Sequence, residues 1–299
     1  MIKSLTITYI TARHEPKVEW FLDSLALQCT SDNVKIIIVS TFKDAVGDLF
    51  NNDKVKVVNP KPTIWQGQYR ITREEWWAKS NAMNTGIALC DTEWIAFVDD
   101  RSVLMPGWLQ CVQDSMIHTY AVCGSYEKRA HMRVTNGEIT NHGELLGEDV
   151  RRKFGYPVKT TDWYGGSCAL PIEWCLQVNA FAEDVCDGLG FEDIQFGITL
   201  RNNGFDMRYD SRMLIVEDRT QSEIGGALKR GGKKGKNSPW DDKDYAILNR
   251  MGDAKTSQNS YDIRELRRKV LNGEPFPPPT ASHFDWYDNA PIAETGGVI

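Results

Sequence analysis

The sequence predicts an α/β protein: a mostly parallel, Rossmann-like sheet with helices on both faces, followed by a C-terminal extension. Two short and almost wholly apolar runs, "VKIIIVST" (34–41) and "IAFV" (95–98), read as strands covered on both sides. Stretches with helical apolar spacing alternate with such strands over the first hundred residues, as in consecutive βαβ units. The chain of 299 residues, 41% hydrophobic and 25% charged, is long enough for one large α/β domain or two smaller ones.

In chain order, "SLTITYI" (4–10) is β-branched and aromatic and ends at the turn "TARHEP". "KVEWFLDSLALQC" follows, with Val18, Phe21, Leu22 and Leu25 on one helical face. After "VKIIIVST", "DKVKVVNP" predicts another strand and "REEWWAKSNAMNTGIALC" a helix. The strand "EWIAFV" then delivers two adjacent carboxylates, Asp99 and Asp100, and "MPGW" starts the next helix. Beyond residue 120, "RAHMRVTNGEITNHGELLGEDVRRKFGYP" is polar, turn-rich and hairpin-like. "DWYGGSCALP" and "FEDIQFGITLRNNGF" return to apolar patterning, the second with a helix starting near Glu192 and Asp193. Residues 221–239 are glycine-rich and basic and predict a mobile loop. A helix near "YDIRELRRKVLNG" stops at Gly273, and the tail from Glu274 holds "PFPPP" and reads as extended.

Charge and composition exclude some classes. A formal net charge of −6, from 35 basic and 41 acidic side chains, disfavours non-specific binding to nucleic acid or anionic lipid, although a local basic patch can override it. The seven cysteines are odd in number and lack a CxxC, which predicts reduced thiols in or near the core. No stretch approaches the roughly 18 apolar residues of a membrane span, and the N-terminus lacks the pattern of a secretion signal, so the expected location is cytoplasmic.

Two carboxylates side by side are costly unless a cation meets them. At a strand end they can hold a hard cation such as Mg²⁺ or Mn²⁺, which takes oxygen ligands, or they can be a solvated turn. Glu192 and Asp193 read as helix N-terminal acids favoured by the macrodipole. Trp163 beside "YGG" reads as core or as an aromatic stacking platform.

Four segments together resemble one family. "WIAFVDDRSVLMPGWL" is similar to the strand and DxD-type acidic element of GT-A-fold glycosyltransferases, especially inverting family 2. Upstream, "KSNAMNTGIALC" resembles that family's helix before the motif, with Lys79, Asn81, Asn84 and Gly86 in matching places. Downstream, "DWYGGSCALP" resembles its small-residue acceptor segment, and "GLGFEDIQFGITLRNNGF" its "ED" segment, which also looks like a galactosyltransferase-type element.

The resemblance implies a metal-dependent hexosyl- or pentosyltransferase moving a sugar from a nucleotide-diphosphate donor, expected to be a UDP-sugar, to a hydroxyl acceptor with inversion. Mn²⁺ or Mg²⁺ is the implied cofactor. Asp100 is then the direct metal ligand, Asp99 the partner of the ribose or a metal-bound water, Asp193 the general base and Glu192 its neighbour. Where the family often has a histidine ligand, "MLIVEDRT" offers Glu217 and Asp218, and Asp218 joins Asp100 as the expected metal set. Thr11 and Arg13 occupy the first nucleotide-contacting loop, and Ser40 stands where the base-reading aspartate is missing. With Lys79, Asn84 and Asp99 they form the expected donor site. Trp163, Gly165 and Gly166 are the expected acceptor side, and Lys229, Arg230 and Lys233 a lid. The expected division is a core at 1–220 (1–110 nucleotide half, 111–220 acceptor half), a basic loop at 221–240, and a helix and tail at 241–299. The acceptor stays open among a glycan, a protein and modified DNA. A retaining transferase, a non-catalytic nucleotide-sugar or glycan-binding module, and a nucleotidyltransferase are the competing readings.

Overall fold

The computed structural model describes residues 3–29, 33–46, 50, 52–63, 78–153, 158–160, 162–187, 191–219, 252–257 and 259–278. The strands are β1 (Leu5–Thr11), β2 (Val34–Ser40), β3 (Val55–Val58), β4 (Trp94–Asp99), β5 (Ser102–Leu104), β6 (Ala121–Ala130), β7 (Arg133–Thr135), β8 (Glu138–Asn141), β9 (Glu144–Glu148), β10 (Val158–Lys159), β11 (Ser167–Pro171) and β12 (Met207–Asp218). The helices are α1 (Val18–Ala26), α2 (Lys43–Val46), α3 (Lys79–Leu89), α4 (Trp108–His118), α5 (Ile172–Gln177), α6 (Glu183–Cys186), α7 (Glu192–Asn202) and α8 (Ile263–Leu271). A 3₁₀ turn spans Val150–Lys153.

Among the described residues ten strands form one sheet in the order β10-β12-β6-β11-β4-β1-β2-β3, with β5 on β12 and β9 on β6. Strands β3, β2, β1 and β4 run parallel, β11 is antiparallel to β4 and β6, and β12 runs parallel to β6. The chain moves outward from β1 to β3 and then crosses back to β4. The strand order therefore reverses between β1 and β4, and the crevice at their C-terminal ends is where such sheets bind ligands. Thr11 and Asp99 end those two strands.

Period-2 alternation splits the sheet's side chains between two cores. On β4, Trp94, Ala96 and Val98 face one core with Phe21 of α1 and Trp108 of α4, while Ile95 and Phe97 face the other. The second core holds Met83 and Ile87 of α3, Phe181, Phe196 of α7, and Ile263 and Leu266 of α8. Burial surrounds α3: every residue from Lys79 to Ala88 is buried. Gly86 is what lets α3 lie so close to β1, since a Cβ there would sit 2.5 Å from Thr8 Cγ2.

The hairpin-like stretch forms as the β7–β8 pair, and α8 ends before Gly273, whose φ of 89° suits glycine. All seven cysteines are free thiols, six of them buried. Among the described residues no helix is long and apolar enough to cross a membrane. The glycine-rich basic segment, including Lys229, Arg230 and Lys233, lies outside the described residues.

Candidate active site

At the β1/β4 switch the cationic partners of the aspartate pair come from three distant places. Thr11 Oγ1 donates to Asp100 Oδ2 at 2.8 Å, and Arg13 Nε lies 2.9 Å from that oxygen. Arg219, just past β12, donates from Nη1 to Asp100 Oδ1 at 3.0 Å and from Nε to Glu217 Oε2 at 2.8 Å. Lys79, the first residue of α3, lies 2.9 Å from Asp99 Oδ1 and 3.6 Å from Glu192 Oε1. Both aspartates are buried, and Arg101 takes the turn behind them at a φ of 54°.

These charges set one another. Burial raises the Asp99 carboxyl, but Lys79 and Arg219 outweigh it and the net movement is downward. For Lys79, burial pulls the ammonium down, yet Asp99 and Glu192 hold it above its ordinary value. Arg219 is likewise held up, by Glu217, Asp100 and Asp99 against burial. Tyr164 donates its hydroxyl to Glu217, and burial and that carboxylate together raise the phenol.

The acids at the start of α7 face the same cluster. Burial, then Asp193, pushes the Glu192 carboxyl to about 7 despite the pull of Lys79. Asp193 is half-buried and also raised, by burial first, while Lys79 and the Ile194 N–H oppose the shift. Phe191, at a φ of 72°, turns the chain into the helix so that both acids enter its first turn. The glycine pair fits between the two acid sets. A Cβ on Gly166 would lie 2.5 Å from Asp99 Oδ2, and one on Gly165 3.2 Å from the Asp193 Cβ. Thus Thr11, Arg13, Lys79, Asp99, Asp100, Gly165, Gly166, Glu192 and Asp193 come together.

Four expected residues are placed otherwise. Asn84 is spent on structure: its Nδ2 lies 2.8–2.9 Å from Phe181 O, Glu183 Oε1 and Tyr261 Oη, and its Oδ1 accepts from Phe181 N. Ser40 is buried at the end of β2 and its Oγ accepts from the Phe42 N–H, closing the turn. Trp163 is 4% exposed and packs edge-on against Phe196, which makes it core and not an open platform. Asp218 accepts from the Met132 N–H and lies on the opposite side of β12 from Glu217.

The donor set does not fit the expected metal. Asp100 and Asp218 do not converge, and among the described residues no three His, Cys, Asp or Glu side chains group as a metal site. Both Asp100 oxygens already carry a guanidinium partner. A divalent ion on either oxygen would have to displace that guanidinium or share the carboxylate with a like charge. Sequence reasoning missed Arg219 altogether. The signal was alternation, since residues 217 and 219 of an extended strand share a face while 218 does not.

Comparison with known proteins matches this architecture. The TarS 1–349 structure from S. aureus in complex with UDP superposes with a TM-score of 0.55 at 12% identity, covering 90% of this chain and 71% of that one. The mannosyltransferase PcManGT from Pyrobaculum calidifontis, in complex with GDP-Man and Mn2+, gives a TM-score of 0.50 at 16% identity over 75% of this chain and 59% of that one. A second TarS 1–349 structure gives 0.51 at 13% identity, with 72% of this chain aligned to 60% of that one. At such identities the likeness speaks for the GT-A fold alone. A sequence search of curated proteins finds no match. The profile described as "Glycosyl transferase family 2" matches residues 6–175, from the first core strand through β4 and its acid pair into α5. That match covers more than half the sequence, and the chain belongs to glycosyl transferase family 2.

Proposed function

We propose that the chain transfers a sugar from a nucleotide-diphosphate donor, a UDP-sugar first among them, to a hydroxyl acceptor with inversion at the anomeric carbon. The observation that carries this reading is the bridge made by Lys79, which lies 2.9 Å from Asp99 and 3.6 Å from Glu192. It joins the strand-end carboxylates at the switch crevice to the acids that begin α7. In this reading the donor lies over the ends of β1 and β4, with Thr11, Arg13 and Asp99 on its nucleotide side.

Asp193 takes the proton of the attacking hydroxyl. It is the more exposed of the two α7 acids, and burial raises its carboxyl, which strengthens it as a proton acceptor. Glu192, held by Lys79, positions the start of α7 relative to Asp99. Core 1–220 then holds both halves of the site, and α8 is a buttress laid against α3 within the 241–299 extension.

The test is incubation with UDP- and GDP-sugars, scored by mass spectrometry for donor hydrolysis and for transfer to added hydroxyl acceptors. A general base contributes about 10² to 10⁴ in rate, so Asp193→Asn should lose turnover by that order. Donor affinity should stay within a few-fold. Turnover retained in Asp193→Asn would remove the assignment of the base, and binding of nucleotide sugars without any turnover would favour a binding module.

A further inference from the structure

We propose that Arg219, with Arg13 beside it, is a built-in cation for the donor diphosphate, so that the chain binds nucleoside diphosphates without a divalent ion. This rests on the nucleotide-sugar reading of the site and specifies how that site meets the donor's charge.

Arg219 and Arg13 follow the ends of β12 and β1, and both converge on Asp100 at the point where the strand order reverses. That is the position in which the aspartate pair would otherwise hold a metal. The guanidinium of Arg219 is fixed there by two acceptors, Asp100 through Nη1 and Glu217 through Nε. Glu217 is itself held by the Tyr164 hydroxyl.

A guanidinium carries five N–H groups in a planar fork suited to phosphate oxygens. Arg219 uses two of them on described residues, and Nη2 stands 3.8 Å from Asp99 Oδ2, beyond hydrogen-bond distance. The Arg13 side chain is 19% exposed, and the Arg219 side chain, 8% exposed, lies behind it on the same carboxylate.

Arg13, Lys79 and Arg219 pair with Asp99, Asp100 and Glu217, and Lys79 also faces Glu192 at 3.6 Å. The first three cations and three acids sum to the same charge as a divalent ion held by two aspartates. An incoming diphosphate therefore meets a preorganised set of N–H donors, and no ion has to be recruited.

Isothermal titration of the full chain with UDP, GDP, ADP and dTDP, in EDTA and again with Mn²⁺, is the test. At least one nucleotide should bind with a Kd that agrees within about threefold between the two conditions. Arg219→Ala should weaken that binding in EDTA by at least tenfold, and Arg219→Lys by less, since the charge is kept and the fork is lost. The parent protein alone decides the matter if Arg219→Ala does not fold. Binding that appears only with Mn²⁺ would overturn the proposal, with the metal displacing Arg219 from Asp100, and would leave the nucleotide-sugar reading standing. No binding of any of the four nucleotides under either condition would remove both.

Discussion

Glu192→Gln should change how the stability of this protein depends on pH. Glu192 is 8% exposed at the start of α7 and faces Lys79, Asp193 and Asp99. Burial and Asp193 move its carboxyl from an ordinary 4.5 up to about 7, with the pull of Lys79 already counted. Between those two values the folded chain holds a proton on Glu192 that the unfolded chain has released. Stability therefore falls with rising pH, by about 1.4 kcal/mol per unit for this group. The contribution is complete below about pH 4.5 and gone once the pH has passed about 7. Glutamine has the same shape and nothing to titrate. From pH 5 to pH 8 the difference between variant and parent should thus move in the variant's favour by about 2 kcal/mol, with ~3 as the ceiling. Urea unfolding of both proteins at pH 5, 6, 7 and 8 measures it, because groups that titrate alike in both cancel in the difference. A difference that stays flat would refute the reasoning. A flat difference would mean that Glu192 is ionised against Lys79 throughout this range.

Two further outcomes follow from the packing around α3. Asn84→Ala should cost about 2–4 kcal/mol in urea unfolding, because the Phe181 N–H and C=O and Glu183 lose a buried partner, while UDP affinity in the folded variant stays within a few-fold. A change in affinity with unchanged stability would return Asn84 to the donor site. Gly86→Ala should cost about 1–3 kcal/mol, since its Cβ would meet Thr8 Cγ2 at 2.5 Å and Oγ1 at 2.7 Å. Adding Thr8→Ala, which removes both atoms, should recover most of that loss, and failure to recover would place the strain elsewhere.

The half of the site built from local sequence is legible in the residues themselves. The apolar run from Trp94 to Val98 can be satisfied only inside a sheet, and its length sets Asp99 and Asp100 at the strand's end. The start of α7 is legible for the same reason, because "FED" precedes an apolar helical stretch. Residues chosen by family place and not by local physics fare differently. Asn84 sits in the matching position of α3, yet every residue there through Ala88 is buried, so its amide answers to Phe181, Glu183 and Tyr261. Trp163 lies beside two glycines, which says nothing about whether the ring faces out; Phe196, 33 positions further along, turns it into core.

The neutralisation of the acid pair depends on pairings far apart in the chain, and one of them is nonetheless within reach. Arg219 meets Asp100 across 119 positions, and nothing in the neighbourhood of either residue states the contact. What the sequence does contain is the order Glu217, Asp218, Arg219 at the end of a strand-forming run. In an extended chain the first and third of these point one way and the second the other. Asp218 accordingly turns to Met132, while Glu217 and Arg219 face Tyr164 and Asp100 together. Searching that run only for acids to complete a metal site leads to Asp218, whereas asking which charges share a face leads to the Glu217–Arg219 pair. Two buried carboxylates require positive charge, and the physics does not specify a metal. In this chain the charge arrives on side chains from the ends of β1 and β12 and the start of α3, so the site's electrostatics are carried by the fold's own strand order.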